Sequence, residues 1–75
     1  MNSIPLTPVK STQIKAVGFD PKTGTMAVQF RDGGTYQYHG VSPQLHEQLM
    51  GAPSKGKFFS ATIKHRYRSA KVSNR

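Results

Sequence analysis

The chain has 75 residues, with eleven Lys and Arg, three Asp and Glu, a formal net charge of +8 and no cysteine. A chain this short forms one domain that buries only about 60% of its unfolded surface, so it has no room for a deep enclosed active site. The lack of cysteine excludes disulfides and thiolate zinc sites, and because no leader-like or membrane-spanning apolar segment is evident, we expect a cytoplasmic protein.

The positive charge is concentrated at the C-terminal end. Residues 51–75 carry seven of the eleven basic residues and no acidic one, which makes this segment +7 and the first fifty residues +1. The run from Lys64 to Arg68 interleaves rings with cations. Crowded cations are relieved by contact with a polyanion, so nucleic acid is the first expected partner. The alternative is that these charges only keep the domain in solution.

The N-terminal half reads as strands and turns. Residues 1–8 hold two prolines without periodicity and predict a flexible segment, so order begins near Val9. Residues 11–20 are rich in β-branched side chains and predict a strand with a bulge near Ala16 or Gly18. Asp20 to Gly24 is a tight turn, and residues 25–30 alternate as a half-buried strand.

The turn after this strand decides the role of two tyrosines. Residues 31–34, Arg-Asp-Gly-Gly, predict a hairpin, and residues 35–39 form the returning strand. A three-residue loop pairs Phe30 with Tyr36 and places Tyr36 and Tyr38 over the core. A two-residue loop pairs Gln29 with Tyr36 and turns both rings to the open face, where they could stack on bases. The core placement is favoured because the domain has few other large apolar residues.

Two short helices are predicted in the C-terminal half. Ser42 is an N-cap before Pro43, and Gly51 supplies a left-handed stop. Ser54 is a second candidate N-cap for a helix over about residues 55–65. Lys55 and Lys57 oppose the dipole of its first turn, which indicates an anion site formed with the backbone amides of that turn. Exposure of two lysines without a ligand is the equally plain interpretation. The basic segment 69–75 is expected to be a disordered tail.

These elements predict an α+β fold: a three-stranded antiparallel β-meander followed by two short helices packed on one face. The predicted core is apolar and is drawn from the first two strands, the two helices and the segments that flank them. Its members are Val9, Ile14, Val17, Phe19, Met26, Val28, Phe30, Val41, Leu45, Leu49, Phe59 and Ile63.

The order of these landmarks resembles the KTSC domain family over residues 9–68. The resemblance is carried by Gly18-Phe19-Asp20, Tyr36-Gln37-Tyr38, the run from Ala52 to Gly56, Phe58-Phe59 and Tyr67. The family is named for the C-terminal region of some lysyl-tRNA synthetases and also includes stand-alone bacterial and phage proteins. The resemblance implies RNA binding as the usual suggestion and brings no catalytic residues. Ser60 stands where the family often has asparagine, and Arg68 where proline or another ring is common.

We therefore expect a non-catalytic nucleic-acid-binding module, with RNA slightly favoured because of the resemblance. The predicted phosphate contacts are cations of the C-terminal segment, and the predicted stacking residues are tyrosines. They are Lys55, Lys57, Lys64, Arg66, Arg68 and Lys71 for phosphates, and Tyr67, Tyr36 and Tyr38 for bases. The alternative is a protein-interaction module that docks onto an acidic surface of a partner enzyme. Exposed Met50 or Phe58 would favour that alternative.

Catalytic and metal chemistry is poorly supported by the sequence. The histidines, His39, His46 and His65, lie on different predicted elements without acids at ligand spacing, so no metal or cofactor is expected. An enzyme would need His65 and Ser60 or Tyr67 to converge in a cleft with an acid. No acid lies near them in sequence.

Overall fold

The computed structural model describes residues 4–73, which form one five-stranded antiparallel sheet and two helices. The strands follow in chain order across the sheet, and the two helices separate the fourth strand from the fifth. The elements are β1 Thr7–Pro8, β2 Ile14–Asp20, β3 Thr25–Phe30, β4 Thr35–Tyr38, α1 Pro43–Met50, α2 Lys55–Thr62 and β5 Ser69–Ser73. The α+β class is confirmed. The expectation of three strands is wrong, because both ends of the sheet carry a further strand.

The strand β1 corrects the expectation of a flexible start over residues 1–8. Thr7 pairs with Val17 and Pro8 with Ala16 at the edge of the sheet. Upstream of β1, Ile4 and Pro5 lie against Gly18 on the sheet face that the helices leave uncovered. This contact buries Gly18 and accounts for an ordered segment in spite of its prolines. Residues 1–3 lie outside the described part of the chain.

The strand β5 corrects the expectation of a disordered tail over residues 69–75. Its backbone pairs with β4, with Ser69 opposite Tyr38 and Lys71 opposite Tyr36. The side chains of residues 69–72 are exposed, that of Val72 by 51%. The strand is held by backbone pairing, which a small polar sequence does not reveal. Residues 74 and 75 fall outside the described residues.

The β3–β4 hairpin confirms the predicted face of the tyrosines but not the predicted register. Val28, and not Phe30, is opposite Tyr36. The Phe30 amide donates to the Gly34 carbonyl at 2.8 Å, so the loop is residues 31–33. Because the register differs from the expected one by two residues, every side chain keeps its face. Both tyrosines therefore share the face of Val28.

Local turn and cap chemistry explains the other element boundaries. The Asp20 side chain accepts from the Lys22 amide at 3.0 Å, and the predicted bulge lies between Ile14 and Ala16. Ser42 Oγ caps α1 by accepting from the Leu45 amide at 3.1 Å. Gly51 ends α1 with φ −91°, so the expected left-handed stop is wrong.

The helix α2 ends at Thr62, three residues before the predicted end, and Ser54 makes no side-chain cap bond. Lys64 and the two residues after it form turns instead, closed by the Lys64 amide donating to the Phe59 carbonyl at 3.0 Å. His65 therefore belongs to a turn and not to a helix.

The core lies between one sheet face and the helices. All twelve predicted core residues belong to the buried cluster or pack against it. Tyr38 joins the cluster and is 4% exposed. No helix within residues 4–73 is long and apolar enough to cross a membrane.

Candidate nucleic-acid interface

A groove of about 1050 Å³ lies where the β3–β4 loop, the end of α2 and β5 meet. These segments are far apart in sequence and are brought together because β5 returns to pair with β4. The groove is lined by Thr12, Gln13, Phe30, Arg31, Asp32, Gly33, Gly34, Tyr36, Tyr38, Phe59, Ser60, Lys64, His65, Ser69 and Lys71.

Four aromatic rings form the apolar part of the groove. Phe59 packs edge-on against Phe30 and Tyr38, with ring centroids 5.4 and 5.1 Å apart. Phe30 also meets Tyr36 edge-on at 5.7 Å. Phe59 and Tyr38 are buried, whereas Phe30 and Tyr36 are half-buried. The accessible rings are therefore Phe30 and Tyr36.

The position of the Tyr36 ring depends on the absence of a side chain at Gly34. A Cβ at Gly34 would lie 3.0 Å from Tyr36 Cε1 and 3.8 Å from Lys71 Cε. The ring and the lysine stem thus both lie over Gly34, at the end of the groove formed by the β3–β4 loop. An aromatic ring and a lysine side chain are adjacent there, and single-stranded nucleic acids contact rings and cations together.

Burial raises the pKa of the Tyr38 phenol, and the nearby Tyr36 phenol raises it further. Both causes disfavour the phenolate. The Tyr38 hydroxyl therefore stays protonated at neutral pH and adds no negative charge to the groove.

The cations of the groove are Arg31, Lys64 and Lys71, all exposed. Arg31 is the best anchored of the three. Its Nε donates to the Ser11 carbonyl at 2.6 Å, and its backbone amide donates to the Gln13 carbonyl at 2.9 Å. The Ser11 Oγ in turn accepts from the Gln13 amide at 3.2 Å. The loop end of the groove is thus fixed, whereas neither lysine side chain makes a hydrogen bond within the described residues.

The structure brings together four of the nine predicted site residues: Tyr36, Tyr38, Lys64 and Lys71. Lys55 lines a separate, smaller pocket, and its Nζ donates to the Ala52 carbonyl at 3.2 Å.

The other four predicted residues line neither cavity. Lys57, Arg66 and Arg68 are exposed, and Tyr67 packs against the core. Their contacts with phosphates or bases, and the anion site at the start of α2, stay predictions.

Sequence reasoning missed the contribution of the β3–β4 loop. Arg31 and Asp32 were explained as turn residues, and Gln13 was placed in a strand without a role. No sequence signal reveals them, because the loop and the basic segment share one end of the sheet only through the pairing of β5 with β4.

An enzyme was expected to need His65 and Ser60 or Tyr67 together with an acid in one cleft, and the structure meets this requirement only in part. Ser60, His65 and Asp32 line the same groove, but no hydrogen bond joins any two of them in the described part of the chain. Tyr67 does not line it. Residues 4–73 also contain no group of three or more His, Asp or Glu side chains able to hold a metal ion.

Comparisons with known proteins connect this geometry to a family. A family model described as the KTSC domain matches residues 10–67. A protein from Tsukamurella paurometabola is 39% identical over 62 residues, covering 83% of this chain and 92% of that protein. The crystal structure of a KTSC domain protein from Yersinia pestis superposes with a TM-score of 0.90 at 40% identity, covering 93% of this chain and 99% of that one.

A longer relative is the lysine–tRNA ligase of Nostoc punctiforme, 34% identical over 71 residues. The match covers 95% of this chain but only 13% of the ligase.

Proposed function

The chain belongs to the KTSC domain family, and we propose that it binds single-stranded nucleic acid, RNA in preference to DNA, in the groove beside β5. The observation that carries this proposal is the placement of the half-buried Tyr36 ring next to Lys71 over Gly34. Arg31 and Lys64 extend the positive charge along the same groove. Rings contact bases and cations contact phosphates, so one strand can satisfy both at once.

The groove favours a single strand over a duplex. Tyr36 and Phe30 are half-buried, so a base must leave its stack to reach them. Bases in a duplex are already stacked and present only their edges in the grooves. The expected preference is therefore for unpaired segments.

Two features favour RNA. Ser60 and Ser69 line the groove and can exchange hydrogen bonds with a ribose 2′-hydroxyl. The domain also occurs in lysine–tRNA ligases, whose name states an RNA substrate.

A protein-docking surface would be favoured by an exposed apolar patch beside the basic residues, and the structure offers little of this kind. Met50 and Phe58 are partly buried and pack against the core, so neither forms an exposed apolar patch beside the basic residues. The large apolar residues that the described part of the chain leaves exposed are Leu6 and Val72, and neither lines the groove.

The test is fluorescence anisotropy with a labelled oligouridine of about ten nucleotides, the matching DNA and a duplex, over a range of salt concentrations. The groove variant is Lys64→Ala/Lys71→Ala, and the charge-matched control is Lys15→Ala/Lys22→Ala. The log–log salt slope should flatten by about 1.4 in the groove variant, because each single-strand phosphate contact accounts for about 0.7. The control should keep the wild-type slope. Equal slopes in the two variants, or equal affinity for the duplex, would contradict the proposal.

Tyr36→Leu separates stacking from charge. Leucine keeps an apolar side chain over Gly34 but removes the ring. Affinity should fall at least fivefold, because one base–aromatic stack contributes about 1–3 kcal/mol, while the salt slope stays unchanged.

A further inference from the structure

Asp32 is an unexpected residue in a cationic groove. The chain has three acidic residues, and Asp32 is the one that lines this groove. A carboxylate in the same groove as Arg31 and Lys71 weakens binding of phosphate. The turn itself makes little use of it, because Asp32 Oδ1 is 3.5 Å from the Gly34 amide, at the outer limit of a hydrogen bond. A carboxylate has two oxygens with about four acceptor positions, so most of its capacity is available to a ligand.

Arg31 lies next to Asp32 and is restricted in how it can donate. Its Nε is committed to the Ser11 carbonyl, so the Nη1 and Nη2 pair is the part that can meet a ligand. These two groups form a planar fork that matches two adjacent acceptor atoms. The backbone of the same residue is fixed by the Gln13 carbonyl, so the fork is held by a rigid end of the groove.

A fork of donors beside a carboxylate fits one base better than the others. Guanine presents two acceptors, O6 and N7, on its major-groove edge, and it presents the N1 and N2 donors on its Watson–Crick edge. Adenine places a donor beside N7, and the pyrimidines have no N7. The Tyr36 ring, lying over Gly34 at the same end of the groove, supplies a face on which that base can stack.

We propose that the β3–β4 loop end of the groove is a guanine-recognition site, in which Arg31 donates to O6 and N7 and Asp32 accepts from N1 and N2. This proposal rests on the single-strand binding proposed above and adds base selectivity to it. Phosphates of the neighbouring nucleotides contact Lys64 and Lys71. Asp32 excludes a phosphate from the loop end, which orients the strand in the groove.

The test compares labelled five-nucleotide oligouridines whose central base is guanine, adenine, cytosine or uracil. Two further probes carry 7-deazaguanine, which lacks the N7 acceptor, and inosine, which lacks the N2 amino group. Wild type should bind the guanine probe about tenfold more tightly than the adenine probe, since a good bidentate contact gives discrimination of this order. Each of these two changes to the base should cost part of that preference.

Two conservative variants test which base atoms Arg31 and Asp32 contact. Arg31→Lys keeps the charge but replaces the planar fork with a single nitrogen, so its preference for guanine over 7-deazaguanine should be smaller than that of wild type. Asp32→Asn keeps the turn-forming side chain but replaces one acceptor with a donor, so it should bind guanine and inosine equally. Asp32→Asn should also bind all-uracil RNA more tightly than wild type, because a negative charge has left the groove. A residue that served only the turn would leave the ratio of guanine to inosine affinity unchanged.

The outcomes separate this proposal from the one on which it rests. Salt-dependent binding that is equal for all bases would overturn the guanine site and leave single-strand binding standing. If Arg31→Lys weakened every probe by the same factor, Arg31 would be on a phosphate and the assignment would be wrong. A preference for guanine over inosine that survives Asp32→Asn would also overturn it. If no probe binds even at low salt, both proposals fail.

Discussion

His46 lies flat against the Phe19 ring on the surface of the core. The ring centroids are 4.8 Å apart and the planes are 11° from parallel. Burial lowers the pKa of this imidazole, and the neighbouring Glu47 carboxylate opposes the shift without cancelling it. His46 is therefore mainly a neutral, packed ring at neutral pH.

This packing predicts a loss of stability on mild acidification. The unfolded chain takes up a proton on His46 near the ordinary pKa of about 6.5, and the folded chain does so only at a lower pH. Above the ordinary pKa, neutral His46 costs the folded state nothing. As the pH falls below that value the unfolded state gains a proton first, so stability decreases, and the decrease ends below the pKa of the folded state. Melting temperatures measured between pH 8 and 5 should fall in wild type and fall less in His46→Phe. An NMR titration that places the His46 pKa at or above the ordinary value would contradict this.

The N-terminal segment packs against the sheet at Gly18, where only a residue without a side chain leaves room for it. A Cβ at this position would lie 2.2 Å from the Pro5 carbonyl oxygen and 2.9 Å from Ile4 Cγ2. The first neighbour is backbone and cannot rotate away. The segment over residues 4–8 and a side chain at position 18 are therefore incompatible.

At the level of elements, Gly18→Ala should detach the N-terminal segment or strain the sheet, at a cost of about 1–3 kcal/mol in the free energy of unfolding, typical of overpacking. The matched control is Gly51→Ala. There, φ is −91° and the nearest atom to an added Cβ, the Glu47 carbonyl oxygen, is 3.5 Å away, so little change or a small gain is expected. Urea denaturation measures both. In a chain lacking residues 1–6 the penalty of Gly18→Ala should disappear; a penalty that persists there would show that Pro5 is not its cause.

The elements also show which parts of the fold the sequence could predict. Residues 25–30 form β3 with the predicted bounds, and Ser42-Pro43 starts α1, because alternation and cap chemistry act locally. The strands β1 and β5 depend on backbone pairing with residues distant in the chain. Pro8 in one and Ser-Ala-Lys-Val-Ser in the other carry no strand pattern of their own. The candidate site was likewise predicted only in part. The charge pattern indicated Lys64 and Lys71, whereas Arg31 joins them only because the pairing of β5 with β4 brings its loop beside them.

At the scale of the whole molecule, basic residues also lie outside the groove. Lys57 and Arg66 are exposed and line no part of it, yet they contribute to the net charge of +8. Charges near a binding site but outside its contacts attract a polyanion over about one Debye length, roughly 10 Å at moderate salt. They steer the encounter without holding the complex together. If the chain binds nucleic acid as proposed, the predicted site residues divide into contacting and steering cations.

This division predicts two kinetic signatures, measured by stopped-flow fluorescence with the guanine-containing oligonucleotide. Lys57→Glu/Arg66→Glu replaces a positive charge with a negative one at each position, lowering the net charge from +8 to +4, and should reduce the association rate constant severalfold at low salt. Its dissociation rate constant should stay close to that of wild type. Lys64→Ala/Lys71→Ala should raise the dissociation rate constant, because direct phosphate contacts are lost. If the two variants changed the same rate constant to the same extent, the +7 segment would act as one undivided surface, and the groove would have no special role in binding.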